Sequence, residues 1–232
     1  MHIGLIGGIG PTATVAYYTG LVTAFRDAGM DLNLTMSHAD ISVLADNAAS
    51  DRADAQAQVF ATHLAHLRDA GCDMGVITAL TGHFCIEQTA RLSPIPVLNA
   101  IDLIDDHCAC NGIGVLGLLG GPSVMETHLF GQLKKVRSVV PETDRDWLGD
   151  AYMRMAMTGK TDAATADRFI SAGAEMVRDQ GADAVLLAGT DLGLVFDGRS
   201  VGYATVDALD VHIRGLLSLA SQHGTGSVQT EV

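Results

Sequence analysis

Short apolar runs alternate along the chain with longer segments of helical period, the signature of βαβ units and a parallel sheet. His2–Ile6 reads as a first strand, and Pro11 is placed to open a helix over Thr12–Ala28. Leu32–Ser37 reads as a second strand, Asp51–Ala70 as an amphipathic helix stopped by Gly71, and Met74–Thr78 as a third strand. A short helix is expected from His83 to Ala90. Pro94 and Pro96 then mark a turn before a brief strand at Val97–Leu98.

The pattern then begins again. Ile101–Cys110 reads as a helix, Gly112–Leu116 as a strand, Ser123–Leu133 as a helix and Val136–Val140 as a strand. Helices over Asp144–Met157 and Thr161–Gln180, a strand at Ala184–Leu187 and a final helix at Val206–Leu219 complete it. Gly4-Leu5-Ile6-Gly7-Gly8 echoes Gly114-Val115-Leu116-Gly117, and the stretch from Ala70 to Ile77 echoes that from Gln180 to Leu187. The expected architecture is therefore α/β. Two similar Rossmann-like lobes with parallel sheets are related by a pseudo-twofold, with an active-site cleft between them. Residues 1–100 with 206–232 form the first lobe and residues 101–205 the second. Ligands of open α/β sheets bind beyond the carboxyl ends of the strands.

Composition narrows the partners. Apolar residues make up 48% of the 232, enough for a sizeable core. The formal net charge of −13 argues against nucleic acid and anionic membranes as partners. An anionic ligand would need local N–H groups to work against that field. No apolar run has membrane-spanning length, Met1 leads straight into a strand, and the four cysteines form neither a CxxC pair nor a secreted framework. A cytoplasmic protein is expected, with the polar tail Gly224–Val232 frayed. No metal site is expected, since nothing near His107, Cys108 and Cys110 completes a ligand set.

The opening Gly8-Ile9-Gly10-Pro11-Thr12-Ala13 fits the dinucleotide fingerprint in form, but the second strand ends without the acidic residue that fingerprint wants. An anion site on glycine N–H groups and a ligand-free tight turn are the other readings. Each half also carries a chemistry-bearing segment directly after a buried strand: Ala79-Leu80-Thr81-Gly82-His83 and Ala188-Gly189-Thr190-Asp191-Leu192.

With Gly4-Leu5-Ile6-Gly7-Gly8-Ile9-Gly10-Pro11-Thr12-Ala13-Thr14 and the following Tyr17-Tyr18, these segments resemble the cofactor-independent aspartate/glutamate racemase family. The Pro96-to-Asp102 landmark resembles it too, and the likeness runs from residue 3 to about residue 220. The resemblance implies a small anionic carboxylate or amino acid as ligand, no cofactor, and a homodimer. It also implies two thiols, one removing the α-proton and the other returning one on the opposite face. Ala79 and Gly189 stand where those cysteines would be, and Leu80 replaces a polar Asn. Ordinary aspartate or glutamate racemisation is therefore expected to be absent or very slow.

His83 and Asp191 are the candidate acid/base groups, each weighed against a loop-ordering role. Gly8, Gly10, Thr81, Gly82, Thr190 and His38 are the candidate substrate-binding residues. Asp40 is a further candidate at the same edge, set against a solvated loop, and His128 a candidate wall residue. Asp102 is assigned to the lobe junction and Asp207 to a helix cap. Cys85 could stand in for a thiol only by reaching back from its helix. The competing functions are an enzyme with replaced chemistry, including a one-base lyase, and a non-catalytic protein that binds a small acid.

Overall fold

The computed structural model describes residues 1–225, so most of the tail expected to fray lies outside the described residues. The chain divides into two compact units, one of Met1–Asn99 together with the chain from His212, the other of Ala100–Val211. The first unit holds β1 (His2–Gly7), α1 (Pro11–Asp27), β2 (Asn33–His38), α2 (Ile41–Ala49), α3 (Ala53–Asp69), β3 (Met74–Ile77), α4 (Ile86–Leu92) and β4 (Val97–Leu98). The second holds α5 (Ala100–Cys110), β5 (Val115–Gly120), α6 (Pro122–Glu126), β6 (Arg137–Val139), α7 (Arg145–Thr158), α8 (Ala163–Gln180), β7 (Ala184–Ala188), α9 (Gly193–Phe196) and β8 (Thr205–Asp207). Helix α10 (Ala208–Thr225) begins in the second unit and continues into the first.

Each unit is built on a four-stranded, all-parallel sheet with the same strand order, β2-β1-β3-β4 and β6-β5-β7-β8. β3 and β7 are buried at every position, and β1 and β5 at all but the first. Helices covering both faces of a parallel sheet explain why these strands read as unbroken apolar runs. In the first unit Phe60, Leu64 and Leu67 of α3 pack against Ile6, Ile77 and Cys85. Each such side chain contributes about 1.5–3 kcal/mol by leaving water. In the second, Phe169 and Met176 of α8 join Leu119, Val185 and Leu187.

The duplication is physical as well as sequential. Gly71 and Gly181 both take positive φ (84° and 69°) after a long helix, as helix-ending glycines do. Two residues later Asp73 accepts a 2.6 Å bond from the His2 N–H, and Asp183 accepts 2.8 Å bonds from Gly114 and Val115. Each aspartate fastens the start of its unit's first strand. This also corrects the reading of β5. Residues 112–114 lie before the strand, and the counterpart of Gly4-Leu5-Ile6-Gly7-Gly8 is Gly117-Leu118-Leu119-Gly120-Gly121, three residues later than the sequence echo suggested.

Three other expectations change. α2 was not foreseen; Asp40 caps it, accepting from the Ser42 N–H (2.8 Å) and hydroxyl (2.7 Å), which accounts for Asp40 better than a ligand does. The helix expected over Ser123–Leu133 stops at Glu126. The Thr127 hydroxyl accepts from the Phe130 N–H, while His128, Leu129 and Phe130 all take left-handed backbone (φ 52°, 55° and 59°). The last helix begins at Ala208, because Thr205–Asp207 pair with β7 as a strand and Asp207 accepts from the Leu209 N–H at 2.8 Å.

The β1–α1 turn is tightly specified. Gly8 has φ +84°, and a Cβ there would lie 2.4 Å from the Ala39 carbonyl oxygen and 2.5 Å from the His38 ring. Backbone strain and overlap with a main-chain atom act together at this position. Gly8→Ala should therefore lower the unfolding free energy by about 3 kcal/mol or more, read as a lower midpoint in urea at unchanged m-value.

Candidate functional site

The carboxyl ends of β1 and β3 are closed by two threonines. The Thr14 hydroxyl accepts from the Gly8 N–H (2.9 Å) and donates to the Gly10 carbonyl (2.9 Å), and the Thr78 hydroxyl donates to the Ile6 carbonyl (2.9 Å). The loop after β3 turns through a 3-10 helix over Leu80–Cys85, in which the Ala79 carbonyl accepts from the Gly82 N–H (3.0 Å) and from Nδ1 of His83 (3.1 Å). A carbonyl can only accept, so Nδ1 carries the proton.

Beneath this loop lies a polar cluster inside the unit. His83 is fully buried, and its ring meets His212 of α10 edge-on at 6.5 Å. His212 is also buried; its Nδ1 lies 2.7 Å from the Tyr17 hydroxyl, and its Nε2 has no partner among the described residues. Burial, reinforced by the neighbouring His83, pulls the His212 pKa down to about 3. It is therefore a neutral imidazole. α10 comes close enough to bury it because Gly20 of α1 faces Ile213, where a Cβ would be 2.2 Å from the Ile213 side chain.

The second unit differs at the matching edge. Counted from the proline that opens each helix, Met125 stands where the first unit has Thr14. Counted from the strand, Ala188 stands for Thr78. After β7 the chain passes Gly189 in extended conformation (φ 165°, ψ 138°) into a 3-10 turn at Thr190–Leu192. Asp191 is 6% exposed, and desolvation raises its pKa above the usual carboxylate range. The Tyr152 hydroxyl of α7 donates to Asp191 Oδ2 at 3.5 Å, and burial followed by the Asp191 charge raises the phenol's own pKa. Asp191 Oδ1 and Thr190 Oγ1 are buried with no partner among the described residues. Orphaned buried polar atoms carry a desolvation cost that native chains seldom leave standing without a role.

The family profile for Asp/Glu/hydantoin racemases matches residues 6–216. The chain belongs to this family. The racemase-family fold is also found in solved structures at low identity. An aspartate racemase homologue from Pyrococcus horikoshii OT3 is 21% identical with a TM-score of 0.81, over 95% of this chain and 99% of that one. An aspartate racemase from Picrophilus torridus is 19% identical with a TM-score of 0.69, over 95% of each chain. A glutamate racemase from Francisella tularensis, solved with D-glutamate, is 14% identical with a TM-score of 0.65, over 96% of this chain and 82% of that one. No curated protein matches the chain. No described helix is long and apolar enough to cross a membrane, and no group of three metal-ligating side chains occurs among the described residues.

In this racemase-family chain the sequence candidates fall into two groups. Gly8 and Gly82 spend their N–H groups on Thr14 and Ala79, so neither has a free donor for an anion; a Cβ at Gly82 would also lie 2.7 Å from Ile77. Gly10 ends the turn as the α1 N-cap, where the N–H groups of Thr12 and Ala13 have no partner within the helix. His38 is exposed and leans on Gly8, and Thr81 is half-buried at the start of the 3-10 helix. Thr190 and Asp191 lie together after β7, with the orphaned atoms. His128 bonds Ser138 (2.9 Å) and lines an open cavity of about 600 Å³ to which no residue of the β7 loop contributes.

Cys85 is buried in the core of its unit, donates to the Gly82 carbonyl (3.4 Å) and has its pKa pushed up to about 11 by burial. Cys108 is likewise buried and pushed up to about 11. Sequence reasoning missed Tyr152 and His212. Tyr152 is one of several apolar positions on α7, and His212 lies 195 residues from the Tyr17 it bonds, so neither carried a local signal.

Two stability predictions follow from the buried charges. His212 is neutral when folded and protonated below about pH 6.5 when unfolded, so stability is lost as pH falls from there toward 3. His212→Asn, which keeps a polar partner for Tyr17, should flatten the fall in unfolding free energy between pH 6.5 and 4 by on the order of a few kcal/mol, read from urea denaturation across that range. Asp191 carries the opposite sign. Its folded pKa is raised, so it costs stability increasingly as pH rises above the ordinary carboxylate range, and in full once pH exceeds the raised value. Asp191→Asn should raise Tm at pH 8 and change it little at pH 4, measured by scanning calorimetry.

Proposed function

We propose that this chain binds a small carboxylic or amino acid and moves one proton with one base, Asp191, in place of the two-thiol racemisation of its family. The observation that carries this reading is the pair of buried, unpartnered acceptors, Asp191 Oδ1 and Thr190 Oγ1, at the carboxyl end of β7. Open α/β sheets bind ligands at that edge. Inversion needs a proton-transfer group on each face of the stereocentre, and the methyl of Ala79 and the hydrogen of Gly189 can serve on neither. Cys72, Cys85 and Cys108 are buried with raised pKa values, and the exposed Cys110 ends α5, before β5 begins, so none of these thiols directly follows a strand as the missing ones would.

Asp191 has the properties such a step needs. Desolvation raises its proton affinity, which strengthens the carboxylate as a base. The C–H bond next to the substrate carboxyl breaks, its electron pair delocalises into that carboxyl, and the proton passes to Asp191 Oδ1. The same oxygen returns the proton to the same face, or a leaving group on the next carbon departs and an alkene forms. The Thr190 hydroxyl is placed to donate to the ligand. His83 suits this role less well, because its Nδ1 proton is held by the Ala79 carbonyl inside the unit.

The test is proton NMR of L- and D-aspartate, glutamate and malate in D2O, with chiral separation of the recovered acid. Deuterium should enter one enantiomer of one acid with configuration retained, or that acid should eliminate, and Asp191→Asn should abolish either. Racemisation by the wild-type protein overturns the reading. So does exchange that survives in Asp191→Asn. Binding without exchange across the panel replaces it with a non-catalytic small-acid binder.

A further inference from the structure

Gly189 is not glycine for backbone reasons. Its φ of 165° is extended, which any residue adopts. What excludes a side chain is Tyr152: a Cβ on Gly189 would lie 2.0 Å from its hydroxyl oxygen, 2.7 Å from Cζ and 2.9 Å from Cε2. The tip of the phenol therefore occupies the volume into which a side chain from the end of β7 would grow. It reaches there from α7, through a gap that Gly121 leaves open; a Cβ on Gly121 would be 3.4 Å from the same ring. The hydroxyl then meets Asp191 Oδ2, while Asp191 Oδ1 is buried with no partner among the described residues.

We propose that Tyr152 has taken the place of the missing side chain at position 189, and that its hydroxyl is a positioning group which holds Asp191 and sets its proton affinity. This rests on the reading of Asp191 as the base. The phenol keeps its proton through the neutral range, because burial and the adjacent carboxylate both oppose its ionisation. It is thus a fixed donor to Oδ2. That bond favours the charged carboxylate and offsets part of the desolvation that favours the protonated form.

No other titratable group competes for this role among the elements packed on the turn. β7 and α9 carry no titratable side chain. Arg145, Asp146, Asp150 and Arg154 of α7 are exposed, as is Asp197 after α9. The result is one oxygen of Asp191 that accepts from Tyr152 and one left unpartnered, the asymmetry a single-base site requires.

The experiment is a carbon-13 NMR titration of the Asp191 carboxyl, assigned by its loss in Asp191→Asn, in the wild type, Tyr152→Phe and Gly189→Ala. It is run beside the pH dependence of deuterium exchange into the acid that exchanges. Tyr152→Phe keeps the ring and should raise the Asp191 midpoint by a fraction of a unit to about one unit, moving the acid limb of the exchange profile by the same amount. Gly189→Ala must push the ring aside and should produce the same upward shift. An unchanged midpoint in Tyr152→Phe overturns the proposal. An unchanged midpoint in Gly189→Ala overturns the placement of Tyr152 at that position. A shifted midpoint with no exchange of any acid leaves the Tyr152–Asp191 link standing and removes Asp191 as base. Exchange whose profile does not follow the midpoint removes Tyr152 alone.

Discussion

The carboxyl edge of a parallel sheet has to satisfy its own main-chain groups, and the two units do this differently. In the first, the Thr14 and Thr78 hydroxyls bind the Gly8 N–H and the Ile6 and Gly10 carbonyls, and Ala79 takes both Gly82 and His83. These groups are closed to a ligand because the fold already uses them. In the second, Met125 and Ala188 replace the threonines, and the polar groups at the turn after β7 are Tyr152, Thr190 and Asp191. Two of their atoms are buried and unanswered. The two units have thus kept the same frame, while their edges differ in which polar groups the main chain already uses.

That difference has a thermodynamic cost. An unpaired buried acceptor costs about 1–3 kcal/mol, a large share of the stability of an ordinary domain. A chain under no other constraint would gain by replacing Asp191 with an apolar residue, since Leu187, Leu192 and Val195 around it are already core. His212 poses the same question in the first unit, with an orphaned Nε2 and a suppressed charge. Its answer is structural in part. The imidazole gives the Tyr17 hydroxyl a partner where α10 closes on α1, and a buried hydroxyl without one would itself be expensive. No comparable internal partner accounts for Asp191 Oδ1.

The fold was legible because parallel strands buried on both faces announce themselves as apolar runs, and because Gly71, Gly181, Asp73 and Asp183 repeat the same fastening. What escaped the sequence was decided by contacts across it. β5 was placed too early because Gly114-Val115-Leu116-Gly117 echoes Gly4-Leu5-Ile6-Gly7, while Asp183, about seventy residues on, fixes the true start at Val115. α6 was drawn too long because a run of three left-handed residues has no composition signature at His128, Leu129 and Phe130. At the candidate site Asp191 and Thr190 were visible beside their strand. Gly189 was read as an absence, whereas in the fold the ring of Tyr152, 37 positions earlier in the sequence, occupies the space beside it.

The net charge of −13 bears on what such a site can bind. It looks hostile to a carboxylate ligand, yet charges beyond about 10 Å are largely screened at ordinary ionic strength. Within that radius the sign is set by a few groups. A raised Asp191 pKa lowers the local negative charge, and the Tyr152 and Thr190 hydroxyls supply donors without adding charge. In the proposed site, a ligand carboxyl that binds as Asp191 takes up a proton would meet the Thr190 hydroxyl and a neutral acid held by Tyr152, not a repelling carboxylate. If Asp191 is the base proposed above, its desolvation serves twice, strengthening it as a base when it is charged and removing its repulsion when it is not. Both effects depend on the same burial, which the Tyr152 ring helps to provide by occupying the space beside Gly189.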